Sequence, residues 1–270
     1  MQVEDSGPTG PVARSTLRAV ALPAEHGGWG LTAEPVLLGL LVAPSVAGLC
    51  IGLAAMGAFV ARTPLKVLLV DRTRQRNSGR APTARRVLAV ESVVLAALAA
   101  AAVALADGPF WWPLLVAGPL VIVELWFDMR SRSRRLAPEL AGSVGISSVA
   151  AMVALAGGAD GRLAVALWLV LAARAVTAIP YVRAQVARLH RRAVDPAATV
   201  RADAGAVGLA VTAVVFEPAV AAGAASVLVI VVVQRVMARG EVPAAKVLGL
   251  REMVLGLLVV AVTAAGVHQW

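Results

Sequence analysis

The sequence predicts an all-α protein: a polytopic transmembrane bundle of about nine helices. Three observations carry that expectation. Of the 270 residues, 59% are hydrophobic and only 15% are charged, and mean hydropathy is +0.81. A soluble domain carries about 25% charged and about 45–50% apolar residues. The apolar excess is Ala, Val, Leu and Gly rather than aromatic side chains, which make up 4%; small residues let helix backbones approach closely in lipid. Finally, the apolar residues fall into nine stretches whose connections alternate between rich and poor in Lys and Arg. This composition excludes intrinsic disorder and a disulfide scaffold, and the single cysteine, Cys50, cannot form an internal disulfide.

In chain order, residues 1–21 contain Glu4, Asp5, Arg14 and Arg18 without the apolar core of a signal peptide. They read as a disordered cytoplasmic tail, and residues 22–270 read as one transmembrane helical domain. The stretches cover residues 27–43, 46–61, 87–106, 113–127, 140–157, 163–182, 204–216, 218–237 and 247–266. A bilayer takes about 20 helical residues to cross. The second, fourth and seventh stretches are short by that measure. The seventh and eighth meet at Glu217-Pro218, where a fused or re-entrant hairpin is an alternative.

Lys and Arg collect on the cytoplasmic side of membrane proteins. Nine spans with the N-terminus inside put 21 of the 25 basic residues on inner segments, and the outer connections hold only Arg162. The C-terminus is then outside. Trp111 and Trp112 fall at an outer boundary, Trp126 at an inner one, as interfacial anchors do. The net charge of +9 therefore reflects orientation and anionic headgroups rather than nucleic acid. The expected location is the inner or plasma membrane.

Two inner segments are alike, Pro64-Leu-Lys-Val-Leu-Leu-Val-Asp-Arg72 and Pro180-Tyr-Val-Arg-Ala-Gln-Val-Ala-Arg188. They suggest that the two halves arose by duplication, as in many membrane folds.

Three groups of residues are candidates for chemistry. Pro23-Ala-Glu-His-Gly-Gly-Trp29 brings an acid, an imidazole, glycines and an indole to the inner interface. Glu25 and His26 are its acid–base candidates, and the glycines admit another helix or a ligand. The alternative is a helix start with an anchoring Trp. Glu34 and Arg174 lie about 12–13 Å deeper than the interface by helical rise. Ionisable groups at that depth face the bundle interior, often paired. They are expected to face inward and to meet, as a packing ion pair or a substrate site. Arg174, Thr177, Tyr181, Gln185 and Arg188 share one helix face, which predicts the lining of a polar cavity open to the cytoplasm. Glu124 and Asp128 form an acidic i,i+4 pair, with Asp128 expected to be solvated at the head of an arginine run. Arg235 is expected to snorkel.

The sequence has no zinc or haem spacing, no phosphate-binding glycine loop and no Gly-x-Ser-x-Gly, so no metal or other cofactor is expected. The Pro-Ala-Glu-His-Gly-Gly-Trp opening resembles the signature of the YwiC-like family of bacterial membrane proteins. Arg62-Thr-Pro-Leu, Pro180-Tyr-Val-Arg-Ala-Gln-Val and Lys246-Val-Leu-Gly-Leu-Arg-Glu252 look like its later blocks.

The layout is also similar to that of UbiA-type intramembrane prenyltransferases, with nine helices, an inner N-terminus and a cytoplasm-facing cavity. Their Asp-rich Mg²⁺ motifs sit where this chain has its repeat. Here the first site offers only Asp71, and Gln185 with arginines stands in the second, so Mg²⁺-dependent prenyl transfer is not expected. The resemblance implies an isoprenoid or other phosphorylated lipid, such as polyprenyl phosphate or diphosphate. Arg62, Lys66, Arg183 and Lys246 would meet its phosphate directly. The alternatives are a small-solute transporter built on Glu34 and Arg174, and a non-catalytic scaffold.

Overall fold

The computed structural model describes residues 26–73, 79–130 and 135–270, with His26 and Gly27 described by backbone alone. These residues form nine α-helices and no strand: α1 His26–Val42, α2 Val46–Thr73, α3 Ala81–Leu105, α4 Trp112–Met129, α5 Leu136–Ala156, α6 Gly161–Leu189, α7 Pro196–Phe216, α8 Ala221–Met237 and α9 Ala245–Gln269. A 3₁₀ turn, Pro218–Val220, joins α7 to α8. Eight spans are long and apolar enough to cross a bilayer, and α1 supplies a shorter apolar helix, Gly28–Val42. The chain is a multi-pass membrane protein.

Helix boundaries follow local chemistry. Ser45 ahead of α2 accepts a bond from the Gly48 amide at 2.9 Å. Asp160 and Asp195 cap α6 and α7 by accepting from Arg162 N and Ala197 N at 2.8 and 2.9 Å. Each supplies an oxygen to an amide that the first helical turn leaves unpaired. The apolar stretches understate several helices. The second stretch ends at residue 61, but α2 continues through Arg62 and Pro64 to Thr73. The seventh begins at residue 204, but α7 starts at Pro196. Backbone hydrogen bonding continues where the side chains turn polar, because polar side chains at a helix end reach water or one another. At 217–220 the structure has a tight turn between two separate helices, each part of a span long and apolar enough to cross, so the two stretches are not fused.

α5 and α6 are the most enclosed helices. α5 packs against α1, α2, α4 and α6, and α6 packs against α5 and α7 with α9 and α8 beside it. Small residues set the spacing. A Cβ on Gly39 of α1 or Gly48 of α2 would overlap Val153 of α5, so the three helices meet at van der Waals distance through bare backbone. The largest apolar core joins Leu38, Leu167, Val170, Val227, Ile230 and Val259. A second joins Ala47, Ile51 and Ala102 to Val149 and Val153. α3 packs mainly against α2.

Polar contacts sort the helix ends into two sets. One end joins Arg62 of α2 to Asp128 of α4, Glu139 of α5 to Arg183 of α6, and Arg188 of α6 to the carbonyls of Ala238 and Gly240 after α8. The other joins the Asp107 amide to the Ala156 carbonyl, Arg162 to the Phe216 carbonyl and His268 to the Leu41 carbonyl. The described arginine-rich helix ends fall in the first set.

Candidate functional site

Two polar clusters form, one at the basic end and one inside the bundle. The first begins with two i,i+4 pairs, which place both members of each pair on one helix face. Arg62 and Lys66 on α2 meet Glu124 and Asp128 on α4. Arg62 Nη1 lies 2.7 Å from Glu124 Oε1, and its Nε and Nη2 each lie 2.7 Å from Asp128 Oδ2. Lys66 Nζ is 3.3 Å from Asp128 Oδ1. Glu124 reaches this position because Gly142 of α5 has no side chain; a Cβ there would overlap its carboxylate. One turn earlier on α5, Glu139 accepts from Arg183 Nη1 at 2.7 Å. The rim is thus tied from α2 through α4 and α5 to α6.

A shallow cleft opens between α2 and α4. Arg62, Lys66 and Asp128 line its polar side, and Leu65, Leu69, Leu125 and Met129 line the rest. Among the described residues, Lys66 has one partner, at the long end of hydrogen bonding, and its side chain is 37% exposed. Arg130 stacks on Trp126 at 4.0 Å beside it, a cation held over an interfacial ring. Asp128 is buried, not solvated as its place in an arginine run suggests. The reason is tertiary, since α2 brings two cations onto it.

The second cluster joins five helices. Arg174 of α6, 3% exposed, donates from Nη2 to the Glu252 carbonyl at 2.7 Å and lies 3.0 Å from Glu252 Oε2. Gln234 Nε2 of α8 donates to Glu252 Oε2 at 3.0 Å. Thr177 Oγ1 lies 3.0 Å from Gln234 Oε1 and 2.7 Å from Asp203 Oδ1 of α7. Arg235 Nε closes the chain on Asp203 Oδ2 at 2.5 Å. Glu34 of α1 is buried against Gly256 of α9, where a Cβ would overlap its carboxylate.

Glu34 and Arg174 therefore both face inward, as expected, but the carboxylate paired with Arg174 is Glu252. α9 lies beside both α1 and α6, and its register puts Glu252 against the guanidinium and Gly256 against Glu34. Arg235 does not simply snorkel, because α7 extends far enough to present Asp203. The stripe faces inward from Arg174 through Thr177 and Tyr181 to Gln185, all buried, and its last member, Arg188, is exposed. Instead of lining an open cavity, the stripe makes its polar contacts with protein groups: Glu252, Gln234, Asp203 and the carbonyls after α8.

The remaining candidates are placed by their helices. Asp71 is half-buried in the last turn of α2, and Lys246 is exposed in the first turn of α9. Glu25 is outside the described residues, and so is the His26 side chain at the start of α1. Farther along the same motif, the Phe59 ring of α2 occupies the space a Gly28 side chain would need. Trp29 meets that ring edge-on at 5.2 Å. These two residues seat α1 on α2, which is the helix-approach reading of the motif. Sequence reasoning placed Asp203 in a loop and did not single out Gln234. The signal for both was available: Asp203 with Arg235, and Gln234 with Glu252, are polar residues one or two turns inside apolar helices.

Residues 22–155 match the family model described as YwiC-like protein. No curated protein and no solved structure matches the chain. The matched segment carries the whole α2–α4 rim cluster together with Glu34, Glu139 and Gly142, and it ends one residue before the end of α5.

Proposed function

We propose, for a chain that belongs to the YwiC-like family over residues 22–155, that the rim cluster binds the phosphate of a membrane lipid. The lipid is an isoprenoid or other phosphorylated lipid, such as polyprenyl phosphate or diphosphate. The basic end faces the cytoplasm of a cell or plasma membrane, in the layout of UbiA-type proteins but without their Mg²⁺-binding motifs. The observation that supports this most is the cleft between α2 and α4. It sets a half-exposed ammonium, Lys66, directly beside four apolar side chains. A headgroup phosphate would take charge-assisted hydrogen bonds from Lys66 and Arg62, and the tail would lie over Leu65, Leu69, Leu125 and Met129. Asp128 holds the two cations in place without consuming the donors of Lys66, which has three. Arg183 and Lys246 are secondary phosphate contacts on the same rim, and Glu25 and His26 are the acid–base pair if a reaction follows.

The test is native mass spectrometry of the purified full chain with lipid identification. A phosphorylated isoprenoid or other phospholipid enriched over the bulk membrane, and lost from Lys66→Gln, is the expected result. Equal lipid content in wild type and Lys66→Gln would remove the cleft from the reading. A second reading, small-solute transport at the Glu34 and Arg174 level, is favoured by one observation. Arg174 Nε and Nη1 are buried without a hydrogen-bond partner among the described residues.

A further inference from the structure

The second cluster, buried at Glu34 and Arg174 and open at Arg235, holds unequal numbers of opposite charges. Glu34, Asp203 and Glu252 supply three carboxylates, and Arg174 and Arg235 supply two guanidinium groups. Arg235 is taken by Asp203 and Arg174 by Glu252. Glu34 is left with no ion-pair partner among the described residues, and it is 5% exposed. Four helices pack on α1: α2, α5, α6 and α9. The charged groups that act on Glu34 are Arg174 from α6 and Glu252 from α9; α2 and α5 contribute none among the described residues.

The same cluster has unused donors. Arg174 engages Glu252 through Nη2 alone, leaving Nε and Nη1 buried and unbonded. Nε and Nη1 lie on either side of the Cδ stem, so they are two separate donors, each able to bond a carboxylate oxygen singly. An uncompensated carboxylate away from water is costly, and so is an unused buried donor. Both costs occur in one cluster, which points to a missing positive charge in one state and a missing bond in another.

We propose that Glu34 is a proton-binding site within the membrane and that Arg174 reads its occupancy. With the proton bound, Glu34 is neutral, the cluster is balanced, and Arg174 stays on Glu252. When the proton leaves to water, the Glu34 carboxylate draws one of the unbonded N–H groups of Arg174. The guanidinium is then shared between α1 and α9. Gln234, which donates to Glu252 through Nε2, remains to hold Glu252. The Thr177 hydroxyl lies between two acceptors, Asp203 Oδ1 and Gln234 Oε1. Its single proton serves one of them at a time, so the chain from Glu252 to Asp203 has a bond to rearrange when Arg174 moves. The site is separate from the α2–α4 cleft and does not depend on lipid binding there.

The experiment is infrared difference spectroscopy on the full chain in lipid vesicles, titrated from mildly acidic to alkaline pH in H₂O and D₂O. Wild type should show the deuterium-sensitive C=O stretch of a protonated carboxylic acid, lost on raising the pH. Glu34→Gln should lack it. Glu252→Gln removes the competing carboxylate, lets Arg174 pair with Glu34, and should abolish the band at neutral pH. The absence of the band in wild type overturns the proposal without reference to any variant. A band that persists in folded Glu34→Gln assigns the proton elsewhere and also overturns it. A band that survives Glu252→Gln overturns the role given to Arg174.

Discussion

Asp128 accepts from two cations on α2 while being buried itself. Replacing it with Asn removes the carboxylate that Lys66 and Arg62 share. The expected cost is about 1–3 kcal/mol, the usual consequence of removing one side of a buried hydrogen-bonded pair. It should read out as a lower thermal unfolding midpoint in detergent, and an unchanged midpoint would mean that the cluster contributes no stability. Gly256 makes a sharper case. Gly256→Ala forces the Glu34 carboxylate off α9, an overpacking expected to cost about 1–3 kcal/mol. Gly249→Ala on the same helix, where nothing lies within 4 Å, is the matched control and should be near neutral. These residues show where sequence reading stops. The depth of Glu34 and Arg174 was legible from their distance along apolar helices. Glu252 as the carboxylate of Arg174 was not, because pairing depends on which helices are neighbours and in what register. Asp128 was hidden for the same reason, since local sequence offers it arginines and water alike.

At the scale of elements, the existence and order of all nine helices were legible, because apolar runs of this length have few other solutions. Their ends were not, because a helix continues for several residues past the point where its side chains turn polar. α2 and α6, the two helices that carry the sequence repeat, have closely similar form. They are 28 and 29 residues long, contain Pro64 and Pro180, and have Arg72 and Arg188 in their last turns. Each packs extensively on the helix that follows it. α3 depends most on one neighbour. A Cβ on Gly57 of α2 would sit 3.0 Å from the Leu95 side chain, so the paired variants Gly57→Cys and Leu95→Cys should cross-link on mild oxidation in a Cys50→Ala background. Gly57→Cys with Val93→Cys, the latter 70% exposed, should not. The reverse pattern would place α3 on a different face of α2.

For the whole molecule, the two sets of end contacts put the start of α1 and the end of α9 at opposite ends of the bundle. Reporters fused before Met1 and after Trp270 should therefore report opposite compartments, the first of them cytoplasmic if the arginine-rich end follows the usual bias. A cytoplasmic reading at both ends would require an even number of crossings. The enclosure of α5 has one more consequence. It is the last helix of the family-matched segment, yet it is covered on one side by α1, α2 and α4 and on the other by α6. Neither half of the polypeptide can shield that surface alone. Genes encoding residues 1–158 and 159–270 should yield degraded fragments when expressed singly and a recoverable two-piece complex when expressed together, so the break in the chain would be tolerated while the loss of either partner would not.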